Sequence, residues 1–269
     1  MILEDIVAAK VIQLQMEKQH ISLDGMKYML KNMPSYRRYS FKEALKRKDG
    51  LSIIAEVKKA SPSKGVIAAE FDALETAKAY QVGGADAISV LTERRFFEGS
   101  DQYLSIIKSQ VAVPVLRKDF IIDVWQIYQS RLLGADAILL ISAILDKTLL
   151  KKFCIIADML GMDCLVEVHN EMELDAALEA GASIIGINNR NLNDFSVDLS
   201  TTQRLMKGIP SDKIVVAESG IRDADDVRYM ASLGVDALLI GETLMRSDCP
   251  GNTIKQFKKA AGGLVGKYG

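Results

Sequence analysis

The chain has 269 residues, 49% of them hydrophobic and 26% charged, with a net charge of −1. That balance supplies ample core for one large α/β barrel, typically about 250 residues, and leaves no basic footprint for nucleic acid. No stretch approaches the roughly 18 uninterrupted apolar residues of a membrane span, and the opening MILEDIVAAK lacks a signal-type apolar run.

Cys154, Cys164 and Cys249 form an odd set without metal-type spacing. They suit free thiols in a reducing cytoplasm. His20 and His169 are the only histidines, which supports neither a histidine zinc site nor a Ser-His-Asp triad. The basic clusters Lys46-Arg47-Lys48 and Lys255 to Lys259 are expected to be solvated helix faces.

The periodicity predicts an amphipathic helix over 3–19, with Ile6, Val7, Val11, Ile12, Leu14 and Met16 as its apolar stripe. Shorter helices come after it over 23–32 and 40–48. No strand pattern precedes residue 51, so residues 1–48 are expected to brace the mouth or the bottom of the domain. Strands are then predicted near 51–58, 86–91, 113–118, 136–141, 163–168, 183–188, 214–218 and 236–240. Helices are predicted near 69–82, 100–110, 123–133, 146–160, 170–180, 198–207 and 223–233, with a last pair near 241–247 and 252–262. Asn170 with Glu173 has capping-box spacing, and Asp123, Asp146 and Asp223 precede helical runs. Eight strand–helix units in succession point to parallel strands joined by right-handed crossovers.

A repeat separates a closed barrel from an open sheet. GGADAISVL (83–91), LGADAILLI (133–141), AGASIIGIN (180–188) and LGVDALLIG (233–241) vary one theme, led by Gly84, Gly134, Gly181 and Gly234 at steps of 50, 47 and 53. Each step spans two strand–helix units, and glycine there ends a helix in the left-handed region. The fold class is therefore α/β, a single (β/α)8 TIM barrel over 49–269 with an N-terminal helical extension over 1–48, in one domain of residues 1–269.

Barrel chemistry belongs at the C-terminal ends of the strands. Strand 1 ends with Glu56 and Lys58, two apart and so on one face. Strand 3 ends with Arg117, Lys118 and Asp119; strand 5 places Glu167 near its end. Strand 6 closes with Asn188, Asn189 and Arg190, and strand 7 with Glu218, Ser219 and Gly220. Leu116, Leu165 and Val216 lie in phase below Lys118, Glu167 and Glu218, so alternation directs these charges into the mouth. Buried charges need partners, and five on converging strands mark a site. Gly220 and Gly241-Glu242 offer a phosphate cradle after strands 7 and 8. Ser61, Pro62, Ser63 and Gly65 predict a polar loop with freedom to move. His169 is expected to be an ordinary loop histidine at the rim, and Trp125 a packing residue.

IIAEVKKASPSKGVI (53–67) closely resembles the signature of the indole-3-glycerol phosphate synthase family. The likeness continues through VLRKDFIID (115–123), LVEVHNEMEL (165–174), IGINNRNL (185–192), VVAESGI (215–221) and LLIGETLM (238–245). The resemblance implies ring closure of 1-(2-carboxyphenylamino)-1-deoxyribulose 5-phosphate to indole-3-glycerol phosphate, releasing carbon dioxide and water, in tryptophan biosynthesis. It implies no cofactor and no metal. By motif, Lys118 resembles the general acid, with Glu167 assisting or acting in the later deprotonation. Lys58 would bind the anthranilate carboxylate and could also donate the second proton. Which lysine makes which transfer stays open. Glu56 and Glu218 would orient and tune the lysines, while Asn188 and Arg190 would hold the substrate's hydroxyl and carboxylate end. Ser61, Gly220, Gly241 and the backbone of Glu242 would hold phosphate, with Ser219 lining the neighbouring pocket. A carboxylate beside phosphate is repulsive, so the Glu242 side chain is expected to point away. Other readings are a Schiff-base aldolase-like lyase using Lys58 or Lys118 and a non-catalytic phosphosugar-binding barrel. A Cys/Asp isomerase fits poorly, because Cys164 opens strand 5. The expected partner is a small phosphosugar, handled by a cytoplasmic monomer without nucleic acid or membrane.

Overall fold

The four glycines that lead the repeats all take left-handed backbones, with φ of 91° at Gly84, 95° at Gly134, 83° at Gly181 and 81° at Gly234. Each therefore turns the chain out of a helix at a conformation that costs other L-residues about 1 kcal/mol or more. In three of the repeats the following aspartate then binds the strand before it. Asp86 Oδ2 accepts from the Ile53 N–H at 2.8 Å, Asp136 Oδ2 from Val115 at 2.9 Å and Asp236 Oδ2 from Val215 at 2.8 Å. The repeat thus sets a turn and staples strands in pairs at their N-terminal ends.

The computed structural model describes residues 2–33, 39–46, 50–68, 70–192 and 194–262. Its barrel strands are β1 (Ser52–Val57), β2 (Ala87–Leu91), β3 (Val115–Lys118), β4 (Ala137–Ile141), β5 (Asp163–Val168), β6 (Ile184–Asn188), β7 (Ile214–Glu218) and β8 (Ala237–Ile240). All neighbours pair in parallel, and β8 returns to β1, closing a (β/α)8 TIM barrel. The helices are α1 (Ile2–His20), α2 (Leu23–Lys31), α3 (Phe41–Leu45), α4 (Ala73–Val82), α5 (Asp101–Gln110), α6 (Val124–Leu133), α7 (Lys147–Met159), α8 (Glu171–Glu179), α9 (Ser200–Leu205), α10 (Ala224–Ser232), α11 (Glu242–Met245) and α12 (Pro250–Gly262). Asp123, Asp146, Asn170 and Asp223 all cap their helices, but the capping box expected at Asn170 is incomplete because Glu173 accepts from the His169 N–H and Asn170 Nδ2 and not from the Asn170 N–H.

Several bounds differ from the sequence expectation. α4 begins at Ala73 because Asp72 accepts from the Leu74 and Glu75 N–H groups. The helix expected over 198–207 shortens to Ser200–Leu205 and tightens into a 3₁₀ turn at Met206–Gly208. The loop after β1 carries order of its own: Ala60–Ser61 pairs antiparallel with Gly65–Val66. Of the basic cluster near α3, Arg47 and Lys48 lie outside the described residues.

Alternation along the strands builds two apolar layers. Ile54, Leu116, Leu165 and Val216 fill the barrel interior, while Ile53, Ala55, Val90 and Val166 face the helix ring. The N-terminal extension covers both ends. Phe41 and Leu45 of α3 are fully buried and pack with Ala87, Ala137 and Ile184 in the interior cluster. Burial at that level contributes about 1.5–3 kcal/mol for each such side chain. The Ser52 hydroxyl reaches the Ala44 and Leu45 carbonyls, fixing this plug at the start of β1. At the other end, α1 sets Ile2, Leu3 and Ile6 over the mouth. Trp125 is buried and donates from Nε1 to the Ile21 carbonyl, joining the α1–α2 connection to α6.

Candidate active site

The strand ends converge on a cavity of about 710 Å³, and all twelve residues given a catalytic or binding role from the sequence line it: Glu56, Lys58, Ser61, Lys118, Glu167, Asn188, Arg190, Glu218, Ser219, Gly220, Gly241 and Glu242. Parity explains the convergence. With Leu116, Leu165 and Val216 pointing inward, the residue two positions on must share their face and emerge where the interior opens.

At the centre stands Lys118. Its Nζ lies 3.2 Å from Glu167 Oε2 and 3.2 Å from Glu218 Oε2. Lys58 Nζ pairs with Glu56 Oε1 at 2.5 Å. Asn188 Nδ2 donates to Glu167 Oε1 at 3.2 Å, and Asn188 Oδ1 accepts from the Arg190 N–H at 3.0 Å. Three carboxylates therefore meet two ammonium groups, which leaves one carboxylate in excess.

The proton affinities reflect that imbalance. Burial opposes the charged form of Lys118, but Glu218, Glu167 and Glu56 outweigh it and raise its pKa. Burial likewise opposes the Glu167 carboxylate, but Lys118 and His169 hold it below its ordinary range. Glu56 is held low too, by Lys58 and Lys118 against burial. Glu218 is the odd one out: burial, with Glu167 and Glu56 near it, pushes it up to about 7. Its Oε1 is buried without a hydrogen-bond partner. That atom lies against Gly186, where an added Cβ would fall 2.3 Å from it. Gly186 thus leaves the space the carboxyl group occupies.

At the rim the Glu242 carboxylate turns to Arg246 at 3.1 Å and to Lys64 at 3.7 Å. Ser219 has φ 64° and Gly220 φ 87°. Asn189 holds this bend, donating from Nδ2 to the Glu218 and Ser219 carbonyls while its Oδ1 accepts from Thr202 Oγ1. Among the described residues, no group of three or more His, Cys, Asp or Glu side chains could hold a metal ion. No helix among them is long and apolar enough to cross a membrane.

The model of the indole-3-glycerol phosphate synthase family matches residues 3–257. The chain belongs to the indole-3-glycerol phosphate synthase family. An indole-3-glycerol phosphate synthase of Acetivibrio thermocellus is 55% identical over 96% of this chain and 99% of its own length. One from Caldanaerobacter subterraneus subsp. tengcongensis is 53% identical over 98% of this chain and all of its own. In fold alone the chain also resembles KGPDC from Streptococcus mutans, at TM-score 0.64 and 13% identity over 81% of this chain and 100% of that one.

One expectation for this indole-3-glycerol phosphate synthase family member changes. His169 is no ordinary loop histidine: Nδ1 lies 2.9 Å from Glu173 Oε2 and Nε2 lies 3.4 Å from Glu167 Oε1. Its place two residues after Glu167 and four before Glu173 carried the signal. Arg117, one residue out of phase with Lys118, turns away from the mouth to Thr92, Ser130 and Asp101. The sequence reading also missed the cavity's apolar wall of Ile2, Leu3, Ile6, Phe97 and Phe120. Those residues come from distant segments and show no shared periodicity.

Proposed function

We propose that this cavity binds 1-(2-carboxyphenylamino)-1-deoxyribulose 5-phosphate and closes its indole ring, with Lys118 as the first proton donor. The observation that carries this reading is Lys118, half-buried in the mouth and bracketed by Glu167 and Glu218. A lysine ordinarily holds its proton up to a pKa of about 10.4, so Lys118 enters turnover charged. It donates to the ribulose carbonyl oxygen as the ring carbon bearing the carboxylate attacks. Carbon dioxide leaves and its bonding electrons restore the aromatic ring. The new hydroxyl then departs as water on receiving a second proton, and Glu167, kept ionised, takes the proton released as the indole double bond forms.

Lys58, oriented by Glu56 and nearer the rim, pairs with the anthranilate carboxylate until it departs and can serve as the second donor. Asn188 fixes the Glu167 carboxylate, and Arg190 extends the polar wall beyond it. Ser61, Gly220, Gly241 and the Glu242 backbone seat the phosphate, with Ser219 beside them. The Glu242 side chain, engaged by Arg246, leaves its N–H to face the anion. The apolar wall takes the aromatic ring. A phosphate fixed at one end and a ring held at the other place the carbonyl against Lys118, and such pre-set orientation is a large source of rate. The reading needs no cofactor and describes a cytoplasmic, monomeric, single-domain enzyme.

Indole fluorescence appearing from the anthranilate-linked ribulose phosphate tests it. Binding without product would leave a phosphosugar-binding barrel, and a covalent adduct trapped by borohydride would point to Schiff-base chemistry. Gly186→Ala is expected to lower kcat by about 100-fold, the cost of moving a reacting group by about 1 Å. The added methyl displaces the Glu218 carboxylate from Lys118, while the phosphate seat and KM are largely spared. Steady-state rates with a thermal melt check it; unchanged kcat would show that Glu218 need not sit there.

A further inference from the structure

Ring closure has a proton requirement that Lys118, Lys58 and Glu167 leave unmet. One proton goes to the carbonyl oxygen and a second to the departing hydroxyl. One returns as the indole double bond forms, and the carboxylate leaves as neutral carbon dioxide. Each turnover therefore takes up one proton net. Glu167 can pass its recovered proton back to Lys118, so the other must come from another group or from water.

His169 is built to hold it. Glu173 Oε2 accepts from the His169 backbone N–H at 2.8 Å and faces Nδ1 at 2.9 Å, while Glu173 Oε1 accepts from Asn170 Nδ2 at 2.7 Å. A carboxylate so engaged is an acceptor, so Nδ1 must carry a proton. The Nε2 atom is buried without a hydrogen-bond partner, and it faces Glu167 Oε1 at 3.4 Å. A bare Nε2 lone pair this close to a carboxylate is repulsive, whereas a protonated ring turns the contact into an ion pair. His169 also lines a polar cavity of about 390 Å³, together with Asn170, Glu173, Arg190 and Arg204.

Resting on the role given to Glu167 in ring closure, we propose that His169 is a positioning residue that holds the proton consumed in each turnover. Its imidazolium, clamped by Glu173, hands the Nε2 proton to Glu167 and is recharged from water through the polar side cavity. After Lys118 has given its proton to the substrate, the N–H bond at Nε2 breaks, an O–H bond forms on Glu167 and breaks again as Lys118 Nζ takes the proton, so Glu167 returns ionised and the ring stays neutral until water restores its proton. The groups facing the ring are Glu167 from β5, Glu173 from α8 and Glu218 from β7; Lys118 shares Glu167. Arg190 lines the adjoining cavity, and so does Arg204, which pairs with Glu171. Burial opposes the charged ring, but Glu173, Glu167 and Glu218 outweigh it and raise its pKa above the ordinary histidine range.

His169→Phe keeps a planar ring at this position and removes the proton. It is expected to lower kcat about tenfold, short of the roughly 100-fold or more for a group that touches substrate, with KM within twofold. The alkaline fall of kcat belonging to the imidazolium should vanish. The acid limb should move to higher pH, because Glu167 loses a cation that holds it low. In His169→Gly, added imidazole should restore much of the lost kcat. Glu173→Gln, which still accepts from the backbone N–H, should move the alkaline fall to lower pH, and it decides alone if His169→Phe does not fold. A pH profile of His169→Phe superposable on the parent's, or no imidazole rescue of folded His169→Gly, would overturn the proposal. Glu167→Gln separates the two readings: full turnover in that variant defeats the role given to Glu167, whereas its loss beside unaffected His169 variants defeats only the role given to His169.

Discussion

Lys118→Ala is expected to lower kcat for ring closure by about 1,000- to 10,000-fold, the upper part of the range for a positioned proton donor, with substrate KM changed only a few-fold. The proposed phosphate seat and the apolar wall are built by other residues, so ground-state binding should survive. What disappears is the proton that meets the carbonyl oxygen as charge develops there. A second effect has a definite sign. Lys118 Nζ sits 3.2 Å from both Glu167 and Glu218, and it is the strongest influence holding Glu167 low against burial. Removing a cation raises a carboxylate's pKa, so the acid limb of the residual activity should move to higher pH. Glu218, already pushed up to about 7, should then be protonated at neutral pH. Lys118→Arg keeps the charge but offers a guanidinium that does not give up its proton near neutrality. It should therefore keep Glu167 low while remaining nearly inactive. Single-turnover indole fluorescence across pH on both variants checks this. A Lys118→Ala enzyme retaining a tenth of the parent kcat would remove the lysine from its role.

Much of this arrangement was legible because a strand has period two and a barrel has one interior. Leu116, Leu165 and Val216 fix the phase of Lys118, Glu167 and Glu218 without knowledge of any contact, and the glycine-led repeat supplies the closure. Phase alone also sends Arg117 outward, once Lys118 is accepted as inward. Local sequence could not show what the outward arginine meets, because its partners Thr92, Asp101 and Ser130 come from three separate segments. The wall of Ile2, Leu3 and Ile6 was hidden for a related reason: an amphipathic helix declares an apolar face but not the surface that face covers. The histidine's environment lay in a span of seven residues, yet seeing it required the turn after β5 to fold back so that Glu173 meets the His169 backbone.

The same buried network ties the N-terminal extension to the strand that carries Lys118, and breaking it is expected to be costly. Lys10 of α1 is 1% exposed, and its Nζ lies 2.8 Å from Asp119 Oδ1, one residue beyond Lys118. Asp119 is also held by Thr92 Oγ1 at 2.7 Å and by Arg117 at 3.3 Å. Lys10→Met keeps the length and apolar stem of the lysine but leaves a buried carboxylate short of its nearest cation. Removing one partner of such a pair costs about 3–5 kcal/mol, and the retained Arg117 contact places the expected loss near the lower end. Lys10→Met with Asp119→Asn should recover much of it, since the uncompensated charge is then gone. Burial opposes the Asp119 carboxylate, but Lys10 and Arg117 hold its pKa below the ordinary aspartate value. A carboxylate depressed in the folded state contributes stability at neutral pH that is lost as pH falls through its folded value. The gap between parent and Lys10→Met, read from urea midpoints, should therefore narrow as the solution is acidified towards that value. Because α1 also carries Ile2, Leu3 and Ile6 onto the cavity mouth, loosening it should raise KM more than it lowers kcat. A variant with the parent's urea midpoint at pH 7 would mean that the ion pair's Coulomb gain does no more than offset its desolvation, with α1 held by its apolar face alone.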